Sequence, residues 1–261
     1  MKERDDDAKS LLLPLRALKL PTFAALYEET ALAAEKQGWS FSHYLRHLAE
    51  AELATREVNR VERMLKSSQL PRSKTLDTLD IERLPSKVRR QVPTLCEGGF
   101  VNRAENVLVF GLPGRGKTHL VCAIGRRLIE RGRSVLFVPT FKLVQRLLVA
   151  KREFALESEL RKLDRYDAVI LDDIGYVQQD REEMEVLFTF LGERYERRSV
   201  LITSNLVFSQ WDRIFKDPMT TAAAIDRLVH HATILELTSK KSVRAEEAEK
   251  KNSALPSGNA E

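Results

Sequence analysis

The sequence has only two cysteines in 261 residues, Cys96 and Cys122, and no paired cysteine spacing of the kind that ligates zinc. That excludes a cysteine-built metal site and leaves two reduced thiols. Long apolar runs are absent too. None approaches the roughly 20 residues that a membrane-spanning helix needs, and the opening MKERDDDAKS is charged where a secretory leader would be apolar. The expectation is a cytoplasmic protein with no membrane partner. Internal repeats are missing, and so is a strong charge of either sign. Lys and Arg total 43 against 38 Asp and Glu, a net +5 with a pI near 9.2. This moderate excess is compatible with nucleic acid without by itself implying it. The 43% hydrophobic content is ordinary for a soluble chain, and the length suits one sizeable domain plus a smaller one.

Against that background one stretch stands out, Asn106 to Leu120, NVLVFGLPGRGKTHL. A short apolar run stops at a Gly-rich loop, and a helical pattern begins. Gly111, Gly116, Lys117 and Thr118 fit the phosphate-loop pattern G-x-x-x-x-G-K-[ST]. Glycines let the backbone curl so that N–H groups from Gly111, Leu112, Pro113, Gly114, Arg115, Gly116 and on to His119 surround a phosphate, Pro113 excepted because it has no N–H. The following helix adds the positive end of its dipole. Lys117 is placed to reach the β- and γ-phosphates, and Thr118 to offer its hydroxyl to Mg²⁺. Nucleotide binding follows.

The rest of the chain divides around this loop. Residues 1–66 read as a small all-helical domain, with apolar positions three and four apart: Leu11, Leu12, Leu15 and Leu18; Phe23, Leu26, Tyr27 and Leu32; Phe41, Tyr44, Leu45, Leu48 and Leu53. Pro21 suits a first helical turn and Ser40 an N-cap. His43 and His47 lie four apart, but no third ligand is near, and surface histidines are the simpler reading. Residues 67–99, broken by Pro71, Pro85 and Pro93, read as a linker wrapping onto the next domain. Over 100–238 strands and helices alternate. Strands are predicted at Val107 to Phe110, Val135 to Val138, Ala168 to Leu171, Val200 to Thr203 and Ile234 to Leu237, all apolar as a helix-covered parallel sheet requires. Helices are predicted at Lys117 to Arg131, Thr140 to Ala150, Ala155 to Leu163, Arg181 to Arg197 and Thr220 to His230. The polar, aperiodic 239–261 reads as a disordered tail.

Three strand or helix ends carry further chemistry. Asp172-Asp173 follows a buried strand at the sheet edge where ligands sit. Asp172 suits a water-mediated hold on Mg²⁺, and Asp173 the polarising of an attacking water. Thr203-Ser204-Asn205 ends the next strand, where the Asn205 amide could meet a γ-phosphate or that water. Arg227, near the end of the last helix, could pair with Asp226 or another acid of its own chain, or reach the γ-phosphate of a neighbouring subunit.

Taken together, GKTHL, LDDIGY, TSNL, the AAIDRLVHHA helix and the stretches EAELATREVNRVERMLKSSQLP and KTLDTLDI resemble the AAA+ ATPases of the IstB and DnaC type, most of all IstB. The resemblance covers about residues 10–238. It implies an α/β AAA+ P-loop core with a five-stranded parallel sheet, no C-terminal lid, and the helical domain in front. It also implies Asn205 as sensor 1 and Arg227 as an arginine finger acting between subunits. By resemblance the chain is an ATPase using ATP and Mg²⁺ that forms homo-oligomers on double-stranded DNA, with ATP sites at subunit interfaces. Its partner would be a transposase whose target choice it assists. A DnaC-like helicase loader is the alternative, and a small-molecule P-loop kinase or a barely hydrolysing scaffold are more distant ones. Most AAA+ enzymes have Glu where this chain has Asp173, so slower hydrolysis is expected. For DNA, the candidate phosphate contacts are Arg56, Arg60 and Arg63 in the helical domain and Lys142, Arg146, Lys151 and Arg152 beside the core.

Overall fold

The computed structural model describes residues 2–176, 181–211 and 218–238. The tail expected over 239–261, and the expected lack of a lid with it, fall outside these residues. The chain forms two compact units, Met1–Arg63 and Met64–Glu261.

The first unit holds α1 (Lys2–Ala17), α2 (Pro21–Gln37) and most of α3 (Phe41–Ser67). Pro21 lies in the first turn of α2 and left-handed Gly38 closes it. Ser40 accepts a hydrogen bond from the His43 N–H at 3.2 Å, as an N-cap does. The periodic leucines do not all go inside: Leu15 and Leu48 are buried, whereas Leu18, Leu32, Leu45 and Leu53 are each more than half exposed. Three short helices share a narrow seam, and a broad apolar stripe overruns it. One buried acid does the work of a cap. Leu20, before α2, has no side-chain cap to offer, and Glu52 of α3 supplies it, accepting from the N–H groups of Thr22 (2.8 Å) and Phe23 (3.4 Å). Burial alone would raise the Glu52 pKa, but the Arg56 guanidinium and the two amides outweigh it and hold the carboxyl below its ordinary value.

The second unit is built on five parallel strands, β1 (Asn106–Phe110), β2 (Val135–Pro139), β3 (Ala168–Asp172), β4 (Ser199–Ser204) and β5 (Ala232–Glu236), in the order β2-β3-β4-β1-β5. Its helices are α4 (Ser86–Glu97), α5 (Gly99–Asn102), α6 (Lys117–Glu130), α7 (Thr140–Arg152), α8 (Leu156–Asp164), α9 (Arg181–Arg194) and α10 (Pro218–Val229). Alternate strand residues serve opposite faces. Leu108, Phe110, Val169, Leu171, Val200 and Ile202 pack with Leu147, Leu187, Phe190 and Leu228 of α7, α9 and α10. Ile170 points the other way, toward Gly125 of α6, and α4 covers α6 from outside.

Three expectations change. The segment read as a linker contains α4, which starts after Pro85 and tolerates Pro93 within it; Val88, Val92, Leu95 and Cys96 give it a buried face. The last strand begins at Ala232, two residues before the predicted start, because its first residues, Ala232 and Thr233, are only partly buried and leave a weak apolar pattern. Helix α9 ends at Arg194, three residues early, where Glu196 turns left-handed at φ 55°.

Arg194 is itself buried, 2% exposed. Its guanidinium donates to the carbonyls of Leu163 (3.1 Å), Tyr166 (2.9 Å) and Ser199 (3.0 Å), tying α8, the turn before β3 and the start of β4 together. Burial lowers its pKa to about 10. Arg194→Met keeps the length and strands those carbonyls, so stability should fall by roughly 3 kcal/mol. Urea unfolding checks this, and an unchanged midpoint would show that the carbonyls find other partners.

Candidate active site

The loop between β1 and α6 is shaped by its glycines. Gly114 and Gly116 lie at φ 76° and 84°, left-handed positions that L side chains avoid, so the chain can coil back on itself before the helix starts. Gly111 donates its N–H to the Ser204 carbonyl at 3.2 Å, anchoring the loop's first residue to β4. Lys117, only 5% exposed, donates from Nζ to the carbonyls of Gly111 (2.7 Å) and Leu112 (3.2 Å). Its ammonium thus lies within the curl of the loop. Pro113 is exposed, Arg115 and Thr118 are partly buried, and Leu112 projects outward at 62% exposure. His119 turns to the segment before the core: its Nε2 is 3.0 Å from the Thr75 carbonyl and 3.1 Å from the Thr78 hydroxyl. The carbonyl can only accept, so Nε2 carries the proton.

The acidic pair reaches the same edge of the sheet from a strand that does not touch β1. β4 lies between them, and its Thr203 makes the connection. Thr203 is fully buried; its hydroxyl donates to Asp172 Oδ1 at 2.7 Å and accepts from the Asp173 N–H at 2.8 Å. Thr140, opening α7, donates its hydroxyl to the Asp172 carbonyl at 2.9 Å. Asp172 is also near α6. Burial drives the Cys122 thiol up to about 12; the Lys74 charge opposes this and the smaller effect of the Asp172 charge adds to it. Cys122 is one turn past Thr118, on the same helix face. Asp173 takes a left-handed backbone, φ 55°.

Asn205 follows β4 directly. Its Oδ1 is buried and has no hydrogen-bond partner, and it packs so tightly on Gly175 that a Cβ there would come within 2.3 Å of it. A buried amide oxygen left unpaired is costly, so its environment favours a donor from outside the chain. Arg227 does not pair with Asp226. Its guanidinium lies over the Phe188 ring, 4.5 Å from the centroid, and against Gly192 of α9. The left-handed loop, the enclosed ammonium, the Thr118 and Asp172 oxygens and the orphan amide fit a polyphosphate with a hard divalent ion.

The basic residues proposed from sequence have varied settings. Arg56 donates to Glu52 (2.8 Å) and to the Lys19 carbonyl (2.6 Å). Arg60 pairs with Glu57 at 3.4 Å, and Arg63 donates to the Asn59 carbonyl at 3.3 Å. On α7, Arg146 pairs with Glu159, Lys151 with Glu185 at 2.9 Å and Arg152 with Glu182 at 3.9 Å. Lys142 is exposed. Sequence reasoning missed Thr203 and Thr140, and also the Thr75 and Thr78 groups that hold His119. Thr203 left one trace, a polar residue within an apolar strand.

Comparison with known proteins agrees with this geometry. Residues 14–251 match the family model described as IstB-like ATP binding protein. An insertion sequence ATP-binding protein of Sinorhizobium fredii is 46% identical over 232 residues, covering 88% of this chain and 78% of that protein. One from Pseudomonas aeruginosa is 37% identical over 223 residues, covering 85% and 84%. Among solved structures, the DnaC helicase loader aligns with a TM-score of 0.53 at 18% identity, over 64% of this chain and 98% of that one, a likeness of fold. Among the described residues no helix is long and apolar enough to cross a membrane.

Proposed function

The chain belongs to the family of IstB-like ATP-binding proteins, and from that premise we propose that it is an ATP-hydrolysing helper of DNA transposition. In this reading it oligomerises on double-stranded DNA and assists a transposase in choosing a target. The observation that carries the ATP reading is the loop around Lys117 set beside the Thr203-linked acidic pair. Loop N–H groups and Lys117 bind the phosphates, and Thr118 and Asp172 hold Mg²⁺, which would screen the charge on the phosphates when bound. Asp173 orients a water for attack, and the Asn205 amide meets the γ-phosphate or that water. Asp173 is one methylene shorter than the usual Glu, which favours slow hydrolysis.

DNA binding is assigned to Arg56, Arg60, Arg63, Lys142, Arg146, Lys151 and Arg152. Most of these already face an acid. Exposed pairs are worth only about 0–1 kcal/mol, so phosphates can replace the acids, and the transferable charge is largest where no backbone bond is broken. Arg56, held by Glu52 and the Lys19 carbonyl, is the weakest member of the set. Binding should follow phosphates, with log K falling by about 0.9 per contacted phosphate for each tenfold rise in salt. Anisotropy on random duplex at rising salt measures this. A flat response, or one short site bound far more tightly than random sequence, would contradict it.

Arg227 completes the site from a neighbouring subunit in this reading. Stacked on Phe188, its guanidinium has no carboxylate to give up among the described residues, and leaving a ring face is less costly than breaking a buried ion pair. A finger of this kind is worth about 10³ to 10⁵ in rate. Arg227→Ala and Lys117→Ala subunits should each be inactive, yet mixing them should restore part of the ATPase activity wherever an intact loop meets an intact arginine. No recovery at any ratio, in assemblies verified to contain both variants, would leave Arg227 a packing residue.

A further inference from the structure

The hydroxyl of Thr203 has one proton and two lone pairs. One lone pair receives the Asp173 N–H (2.8 Å), so the proton is committed to Asp172 Oδ1 (2.7 Å). A backbone amide can only donate and a carboxylate oxygen can only accept, so the hydroxyl receives the first and donates to the second. Asp172 must therefore present an unprotonated oxygen to Thr203, which fixes the carboxylate's rotation and leaves its other oxygen for a different partner. The main chain at Asp172 is held as well, by the Thr140 hydroxyl on its carbonyl (2.9 Å). The same Thr203 oxygen secures the amide of Asp173, whose left-handed backbone (φ 55°) is one that a non-glycine residue adopts only when its surroundings hold it there. All of this is inside the protein: Thr203 is 0% exposed, so no water substitutes for the hydroxyl.

Strand register explains why Thr203 is the residue that can do this. Leu171 of β3 is level with Ile202 of β4, so one step further Asp172 is level with Thr203. On the other side of the same strand Phe110 is level with Ser204, immediately before the phosphate loop, and two residues beyond Thr203 is Asn205 with its unpartnered Oδ1. One strand end thus touches every element of the site.

We propose that Thr203 is a positioning residue for the acidic pair: its single hydroxyl orients the Asp172 carboxylate toward the divalent ion and sets the backbone that carries Asp173. The proposal rests on the ATP reading above and adds to it a residue that touches neither nucleotide nor metal. A hydroxyl acting this way should govern metal affinity and leave metal-free nucleotide binding alone. A threonine that merely fills space should not govern metal affinity, and a valine would replace it.

The test compares wild type with Thr203→Val, which keeps the shape, and Thr203→Ser, which keeps the hydroxyl. Mn²⁺ binding to the ADP-loaded protein is read by EPR, and binding of a fluorescent ATP analogue is read in EDTA. Thr203→Val should weaken Mn²⁺ by about 10- to 100-fold, the usual loss when a partner behind a metal ligand is removed. It should leave analogue binding in EDTA within about twofold and raise the Mg²⁺ needed for half-maximal ATPase in parallel with the Mn²⁺ loss. Thr203→Ser should recover to within about threefold of wild type in each readout. Native Mn²⁺ affinity in Thr203→Val overturns the proposal, and so does a Thr203→Ser protein as impaired as the valine variant. If Thr203→Val does not fold, Thr203→Ala, which also removes the hydroxyl, takes its place with the same expected outcomes. Wild-type protein that binds neither analogue nor Mn²⁺ with ADP would overturn the ATP reading itself, an outcome separate from native behaviour of the valine variant alone.

Discussion

The site depends on β4 lying between β1 and β3. In a parallel sheet the register of one strand fixes the height of its neighbours' ends, and here the middle strand sets both. Its Ser204 carbonyl anchors Gly111 at the start of the phosphate loop, and its Thr203 hydroxyl anchors Asp172 and Asp173. A loop and an acidic pair on strands that never touch are thereby held to one edge of the sheet. Had β3 paired directly with β1, the amide of Asn205 could not lie between them.

The same logic of long-range polar contacts recurs away from the site. Glu52 caps α2 from the middle of α3, and Arg194 ties three segments through carbonyls. Both are buried charged groups that bond to backbone, Glu52 with the Arg56 side chain as a further partner, and such bonds offset part of the cost of burying charge. They also separate structural from functional charge. Arg56, the partner of Glu52, has a place in the helical unit already, and Arg146 is held by the buried Glu159, whereas Lys151 and Arg152 pair with exposed Glu185 and Glu182, pairs of little worth.

What could be read from the residues was what is local. Four fixed positions from Gly111 to Thr118 are a complete sentence about backbone shape and charge, and Asp172-Asp173 after four apolar residues marks a strand end without reference to anything distant. The five strands were legible for the same reason, four of them nearly to the residue, while β5 was displaced because Ala232 and Thr233, which open it, are only partly buried. Contacts across the fold were not legible. Thr203 and Asp172 are separated by 31 positions, and their meeting follows from a strand order that periodicity does not encode. Helix α4 was hidden by Pro85 and Pro93, which read as breakers; the first lies just outside the helix and the second costs one backbone bond that its four buried side chains offset. Arg227 was expected to act between subunits, with an acid of its own chain as the alternative; the face of Phe188, over which it lies, is a partner that no spacing in the sequence announces.

The central claim is that the enclosed ammonium of Lys117 and the Thr203-held acids form one ATP site with divided roles, binding at the loop and hydrolysis at the acids. Calorimetric titration of ATP in Mg²⁺, paired with phosphate release on the same samples, tests it directly. Lys117→Ala should weaken ATP by roughly 10- to 100-fold, the worth of a charge-assisted hydrogen bond, whereas Asp173→Asn should bind ATP like wild type and release phosphate far more slowly. Undiminished ATP affinity in Lys117→Ala, or wild-type turnover in Asp173→Asn, would contradict the account.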